Sequence, residues 1–341
     1  MNDKTINVLI TTRFSDEILE RFKAVSPNIK IRVQPAEKEK DIPNRAWQQA
    51  DVLYTTFFLP PATIKSNITW VHSHFAGIDH LLEDPFVKAH PDIVLTNSSG
   101  IHVAKIGEYA VGMILALGHR IPAMLHHQAN NEWPRNRFSI FMAQELNKST
   151  VGILGYGRLG REVARLCKAF GATVLATKRD IRQPDSTKYT LPGKGDPEGE
   201  IADRLYPTEA TAFMLKECDF VVITLPLTEK TRYSFGAEML EAMKPTAFLV
   251  NVGRGEIVQE DALLAALQNE RIAGAAFDVF AAEPLPPDHP LWQAPNLIIS
   301  PHISGNMRDY KEKAAAVFEE NLRRFIEKRS LMNVVNRELG Y

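Results

Sequence analysis

Short runs of apolar and β-branched residues alternate with amphipathic runs almost throughout the chain, the pattern expected of parallel βαβ units. In the first hundred residues the apolar runs 7–11, 29–34, 52–56, 70–73 and 93–96 predict strands, and 17–25 predicts the first crossover helix. A longer apolar run, 105–117, predicts a helix closed by Gly118 and Pro122. A second and stronger series begins at Thr150, with strands predicted at 151–154, 173–177, 220–224, 247–251, 273–279 and 297–300. The segment 309–328 reads as one amphipathic helix with a charged face. Between 180 and 206 the periodicity lapses into Pro, Gly, Lys, Asp and Glu, which predicts an irregular, mobile excursion.

Two doubly wound α/β sheets fit this series better than one large sheet, and a length of 341 residues agrees with two domains. With the final helix returning to the first sheet, the expected layout is one domain of residues 1–99 and 307–341, interrupted by a second of residues 100–306. Hydrophobic residues at 45% and charged residues at 24% supply enough apolar mass for two cores. A net charge of −1 gives no global field to hold nucleic acid or an anionic membrane, and both are excluded as expected partners. The run 109–117 falls far short of the ~18 residues of a membrane span. It is also wider than one buried stripe needs, which predicts a subunit interface. Two cysteines, Cys167 and Cys218, exclude a disulfide scaffold and a cysteine zinc site. The first thirteen residues show no secretory pattern, so a cytoplasmic location is expected.

The chemistry concentrates in the second series. Gly155, Gly157 and Gly160 form GxGxxG between a predicted strand and a predicted helix. The first glycine makes the tight turn, the second lets backbone approach a pyrophosphate, and the third allows close helix-to-strand packing. The amides of Arg158 and Leu159 then face the anion from the helix start. This predicts a Rossmann-type dinucleotide-binding domain. About 20 residues on, where a carboxylate would bind the ribose 2′-hydroxyl, stand Lys178 and Arg179. Basic groups suit a 2′-phosphate, so NADP is expected ahead of NAD, with Asp180 as the residue through which NAD would be served.

Three polar residues follow apolar strands near the expected ligand edge: Arg254 in FLVNVGRGE, Glu283 in FDVFAAEPLP and His302 in IISPHISG. An arginine can grip a carboxylate bidentately, a histidine can exchange a proton near neutral pH, and a glutamate beside it stabilises the imidazolium. Taken singly each has an ordinary structural reading; together, after a nucleotide turn, they predict a hydride-transfer site. The histidines 72, 74, 80, 102, 126 and 127 lack metal-ligand spacing and are expected on the surface or in loops. Core packing is expected for Phe57, Phe58 and Cys167.

GxGxxG, NVGRG, AAFDVFAAEPLP and SPHISG, in this order, resemble the D-isomer-specific 2-hydroxyacid dehydrogenases, with a looser match through HFAGIDHL. The resemblance implies a Rossmann-type cofactor domain inserted into a flavodoxin-like substrate domain, a catalytic triad of Arg254, Glu283 and His302, and a homodimer that the run 109–117 and the arm through Trp133 help to build. It implies that Asp278 faces the nicotinamide carboxamide and that Leu225, Pro226, Thr231, Val252, Gly253 and Gly305 line the cofactor groove. Ala76 and Gly77 match the loop whose amides hold the substrate carboxylate, alongside Arg254 and His302. Lys178 stands where many members carry aspartate. Glu283 is intact where formate dehydrogenases of the superfamily carry glutamine, which argues against formate. The strings IVQEDALLAAL and HPLWQAPN resemble the glyoxylate and hydroxypyruvate reductase branch, implying small 2-oxo or D-2-hydroxy acids as substrates. A nicotinamide-sensing corepressor on the same fold, or an NAD-dependent dehydrogenase with another substrate, is the alternative.

Overall fold

A computed structural model describes residues 5–180 and 191–340. Its contacts divide the chain into two units, one built from the segments up to Ile101 and from Met307 onward, the other from the segment His102 to Asn306 between them. Each holds its own sheet, and every strand pairing within the two sheets is parallel.

In the first unit β1 (Ile6–Ile10), β2 (Ile29–Val33), β3 (Val52–Thr55), β4 (Trp70–Ser73) and β5 (Val94–Asn97) lie in the order β2-β1-β3-β4-β5. The helix Asp16–Ala24 starts on a Ser15 cap, whose hydroxyl accepts from the amide of Ile18, and turns Ile18 and Phe22 onto the sheet. The helix Tyr310–Ile326 packs on the same face, setting Ala315, Phe318 and Leu322 against Val8, Tyr54 and Trp70. The Phe318 ring meets Phe22, Tyr54 and Trp70 at centroid distances of 5.2, 4.8 and 5.3 Å. Burying that one ring contributes about 2–3 kcal/mol.

In the second unit β6 (Thr150–Leu154), β7 (Thr173–Thr177), β8 (Arg204–Tyr206), β9 (Phe220–Ile223), β10 (Phe248–Asn251), β11 (Gly274–Phe277) and β12 (Leu297–Ile299) form the order β12-β11-β10-β9-β6-β7-β8. The strand register keeps Asn251, Phe277 and Ile299 level at one edge. The central strands are buried on both faces, as their continuous apolar runs require.

Two expectations change. β8 sits inside the stretch read as an irregular excursion, and the loop before it is packed: Gly195 and Asp196 are buried. Three residues are too short for a periodic signal to register, and the buried carboxylate looks like a loop acid in sequence. The remainder of the excursion, 181–190, lies outside the described residues. The apolar helix, observed as Val103–Gly118, buries Ala110, Val111, Ile114 and Leu117 with Val151, Val163 and Phe220 and leaves Ile106, Tyr109, Met113 and Leu115 partly buried. His72 is a core residue inside β4, at 0% exposure, and His74, in the loop after that strand, is also buried, at 6%. Their ring nitrogens are satisfied by Thr96 and Ser98 for His72 and by Tyr54 for His74, which offsets the cost of burying them. Among the described residues no helix is long and apolar enough to cross a membrane.

Candidate active site

In the second sheet the chain leaves β6 through the helix Arg158–Ala169 for β7 and β8, then returns to build β9 to β12 on the other side. The order reverses between β6 and β9, and the crevice at the carboxyl ends there is where doubly wound sheets take ligands. The glycine turn occupies that point. Gly155 has φ +98°, a left-handed conformation that glycine adopts without strain. A Cβ on Gly160 would lie 2.3 Å from the Gly155 carbonyl oxygen, so only glycine lets the helix approach the strand. A Cβ on Gly157 meets nothing within 4 Å. That open side, at the N-terminus of a twelve-residue helix, fits the approach of a pyrophosphate to Arg158 and Leu159. The turn is pinned from both neighbours. The Thr224 hydroxyl donates to the Gly155 carbonyl at 2.7 Å, and the Tyr156 amide donates to the Thr177 carbonyl at 2.8 Å. Lys178 and Arg179 follow Thr177 directly, at the carboxyl end of β7.

Arg254, Glu283 and His302 follow the adjacent strands β10, β11 and β12, on the same edge of the sheet. Asn251, at the tip of β10, shapes the turn that carries Arg254: its Nδ2 donates to the Arg254 carbonyl at 3.0 Å and its Oδ1 accepts from the Gly253 amide at 3.0 Å. A Cβ on Gly255 would stand 1.9 Å from the Phe280 carbonyl carbon, so this turn packs backbone to backbone on the loop that carries Glu283. One carboxylate oxygen of Glu283 accepts from the Phe280 amide at 3.0 Å, and the other meets His302 Nδ1 at 2.7 Å. A carboxylate partner makes Nδ1 the protonated nitrogen and leaves Nε2 for exchange. His302 itself has φ 53°, held there by its amide, which donates to the Asp278 carbonyl at 2.8 Å. A left-handed non-glycine residue costs about 1–2 kcal/mol, and such outliers cluster at functional sites.

The other predicted residues take varied places. Asp278 is fully buried, and its carboxylate accepts from the Ser300 hydroxyl at 2.5 Å and from the amides of Ile303 and Ser304 at 2.8 Å each. It staples the loop that carries His302. Tyr109 extends the chain through a 2.5 Å bond to Ser300. Leu225 flanks Gly155, and the Thr231 hydroxyl donates to the Pro226 carbonyl at 2.7 Å, closing the turn after β9. The Val252 side chain is buried in the core, and the Gly305 carbonyl is bonded to His102 Nδ1 at 3.2 Å. Ala76 and Gly77 belong to the first unit, in the loop after β4, where the Ala76 carbonyl accepts from Asn97 Nδ2 at 2.9 Å. Phe57 departs from its expected core packing: it is 58% exposed, tilted against Phe75 and His80, whereas Phe58 packs on the core. Among the described residues no group of three side chains is placed to hold a metal. Sequence reasoning missed Asn251, Ser300 and Tyr109; the first was visible in the string NVGRG, but the other two meet across 191 residues.

A glycine turn at the switch point and a histidine–carboxylate pair on the neighbouring strands define a nucleotide-dependent α/β enzyme. Residues 111–304 match the NAD binding domain of the D-isomer specific 2-hydroxyacid dehydrogenases, and the chain belongs to that family. It is 36% identical over 255 residues to a glyoxylate reductase of Aeropyrum pernix, covering 72% of this chain and 70% of that protein. Its fold is similar to that of a D-isomer specific 2-hydroxyacid dehydrogenase from Xanthobacter autotrophicus Py2 in complex with NADPH and MES, at TM-score 0.80 and 25% identity, covering 99% of this chain and all of the other. An NADPH-dependent glyoxylate/hydroxypyruvate reductase from Sinorhizobium meliloti, in complex with NADP and sulfate, gives TM-score 0.79 at 25% identity with the same coverage.

Proposed function

We propose that this protein reduces small 2-oxo acids of the glyoxylate and hydroxypyruvate type to D-2-hydroxy acids with NADPH. The observation that carries the reading is the 2.7 Å bond between His302 and Glu283, beside the turn that holds Arg254. A bound nicotinamide supplies the hydride. Arg254 grips the carboxylate of the 2-oxo acid and fixes the direction of its carbonyl. His302, oriented by its Nδ1 bond to Glu283, gives the Nε2 proton to the oxygen as negative charge develops on it. Asp278, Asn251 and Ser300 hold these two loops in register. Gly155, Gly157, Arg158, Leu159 and Gly160 hold the pyrophosphate, and Lys178 with Arg179 pair with a ribose 2′-phosphate.

Two further readings join this one. The segment after the apolar helix leaves Ile121, Met124, Leu125, Trp133, Phe138 and Met142 exposed, which supports a homodimer. Cys167 and Cys218 are free thiols rather than a disulfide, which suits a reducing, cytoplasmic location, and burial pushes each up to about 12 and keeps it inert.

The test is NADPH oxidation with glyoxylate, hydroxypyruvate, pyruvate and phenylpyruvate, repeated with NADH. We expect turnover of the smaller acids and a kcat/KM at least about tenfold higher with NADPH, a factor worth about 1.4 kcal/mol. A clear preference for NADH removes the role of Lys178 and Arg179. Silence on all four acids at millimolar concentration overturns the enzymatic reading.

A further inference from the structure

The glycine turn is tied from beneath to the loop that precedes β8, through side chains that the chemistry above does not use. Tyr156, between the first two glycines, is 1% exposed and packs among Val151, Val163 and Ala176. Its hydroxyl donates to Asp196 Oδ2 at 2.7 Å. Arg161, in the first turn of the following helix, donates Nη1 to the Asp196 carbonyl at 2.7 Å and Nε to the Tyr156 carbonyl at 3.4 Å. Its neighbour Glu162 accepts from the Gly195 amide at 2.7 Å and is held by Arg165 through bonds of 2.8 and 2.7 Å. Asp196 is 2% exposed, and its carboxylate also accepts from the amides of Gly199, Glu200 and Ile201 at 2.9, 3.0 and 3.1 Å. The loop therefore closes around one buried carboxylate, and the glycine turn supplies its remaining donor.

A buried hydroxyl that loses its only acceptor carries the full cost of desolvation, so the turn and the loop constrain each other. The same turn is bonded on its upper side to Thr177, just before Lys178, and the loop re-enters the sheet as β8, where the Tyr206 carbonyl accepts from the Lys178 amide at 3.0 Å. Both ends of the arrangement thus meet at the carboxyl end of β7. We propose that Tyr156 and Asp196 are positioning residues for the dinucleotide: their buried bond fixes the glycine turn in its anion-binding shape and couples coenzyme binding to the order of the loop 194–201. The proposal rests on the dinucleotide reading of the turn. Linkage makes the coupling reciprocal, so bound coenzyme must protect the loop as much as the loop favours the coenzyme.

The test compares Tyr156→Phe with the wild type in NADPH binding by fluorescence titration without substrate, and in amide hydrogen exchange. Loss of the hydroxyl is expected to raise the NADPH Kd about 5-fold or more. The amides of Gly199, Glu200 and Ile201 are expected to exchange faster in the free variant, and NADPH is expected to slow them in the wild type. Tyr206→Phe is the control, because that hydroxyl donates to Glu217 at the exposed end of the same segment and should leave the Kd unchanged. A Tyr156→Phe Kd within twofold of wild type, or an equal rise in Tyr206→Phe, overturns the proposal. Should Tyr156→Phe fail to fold, Asp196→Asn is read by the same titration and the same limits. A wild type that binds neither NADPH nor NADH overturns the dinucleotide reading itself.

Discussion

Gly255 carries as much of the site as the arginine before it. Its missing side chain is what lets the Arg254 turn lie against the Phe280–Ala281 backbone, three residues from Glu283. Adding a methyl group there is expected to destabilise the protein by about 2 kcal/mol, the usual cost of overpacking, with the larger loss in kcat/KM because two loops are displaced together. Urea denaturation beside steady-state kinetics on Gly255→Ala checks both; wild-type behaviour in the two would show that the loops are not packed this way. For the histidine pair the losses should fall on kcat. His302→Ala is expected to lower it about 10²- to 10⁴-fold, the range of a lost general acid, with the coenzyme Kd unchanged. Glu283→Gln keeps an acceptor for Nδ1 but removes the charge, so its kcat should fall less, by about 10-fold or more. Turnover of His302→Ala near that of wild type would remove the histidine from the proton transfer. Arg254, Glu283 and His302 were legible in sequence because each follows an apolar strand with glycine or proline beside it. The bonds that hold them were not: Ser300 and Asp278 are separated by 22 residues, and a hydroxyl or a carboxylate gives no periodic signal of its partner.

At the scale of elements, the apolar runs located eleven of the twelve strands among the described residues to within about two residues, because buried parallel strands are continuous apolar runs. They failed at β8, a half-exposed edge strand three residues long, and at His72, expected on the surface or in a loop and buried inside β4. That histidine has a measurable consequence. Burial, and then the nearby His74, lower its value from 6.5 to about 3. It is neutral in the folded chain and takes up a proton on unfolding below pH 6.5, so the stability it contributes is present above 6.5 and is lost as pH falls toward 3. Asp196 behaves otherwise. Burial raises its carboxyl, but the bonds from Tyr156 and three amides outweigh that and hold it below its ordinary value. Its contribution is lost only below about pH 4. We therefore expect unfolding free energy to decline between pH 6.5 and 4.5 by up to about 1.4 kcal/mol per pH unit. His72→Gln should flatten that decline while lowering stability at pH 7. Urea denaturation at half-unit pH steps measures it, and a wild type with no slope in this window would show that His72 is solvated.

For the whole molecule, the composition argued against polyanionic partners but said little about self-association, and the structure redirects that question. The helix Val103–Gly118, whose apolar breadth pointed to an interface, buries one stripe in its own core and leaves Ile106, Tyr109, Met113 and Leu115 partly buried. The unexplained apolar surface lies just beyond it. Trp133, Phe138 and Met142 are 84%, 75% and 67% exposed, with Ile121, Met124 and Leu125 on the helix Ile121–Ala129 before them. Exposed hydrophobics scattered singly are ordinary, but six within one segment of 22 residues exceed that and support an interface. A net charge of −1 offers little repulsion between copies. A twofold pairing would place the segment of one copy on the same segment of its partner or on the helix beside it, as an isologous interface requires. Sedimentation velocity at micromolar concentration is expected to give a dimer of the 38.3 kDa chain. Leu125→Glu with Phe138→Glu puts unpaired charge into the patch without touching either core, and should give a monomer that keeps its secondary structure. A wild type that sediments as a monomer at every concentration up to the millimolar range would assign the patch to a different partner.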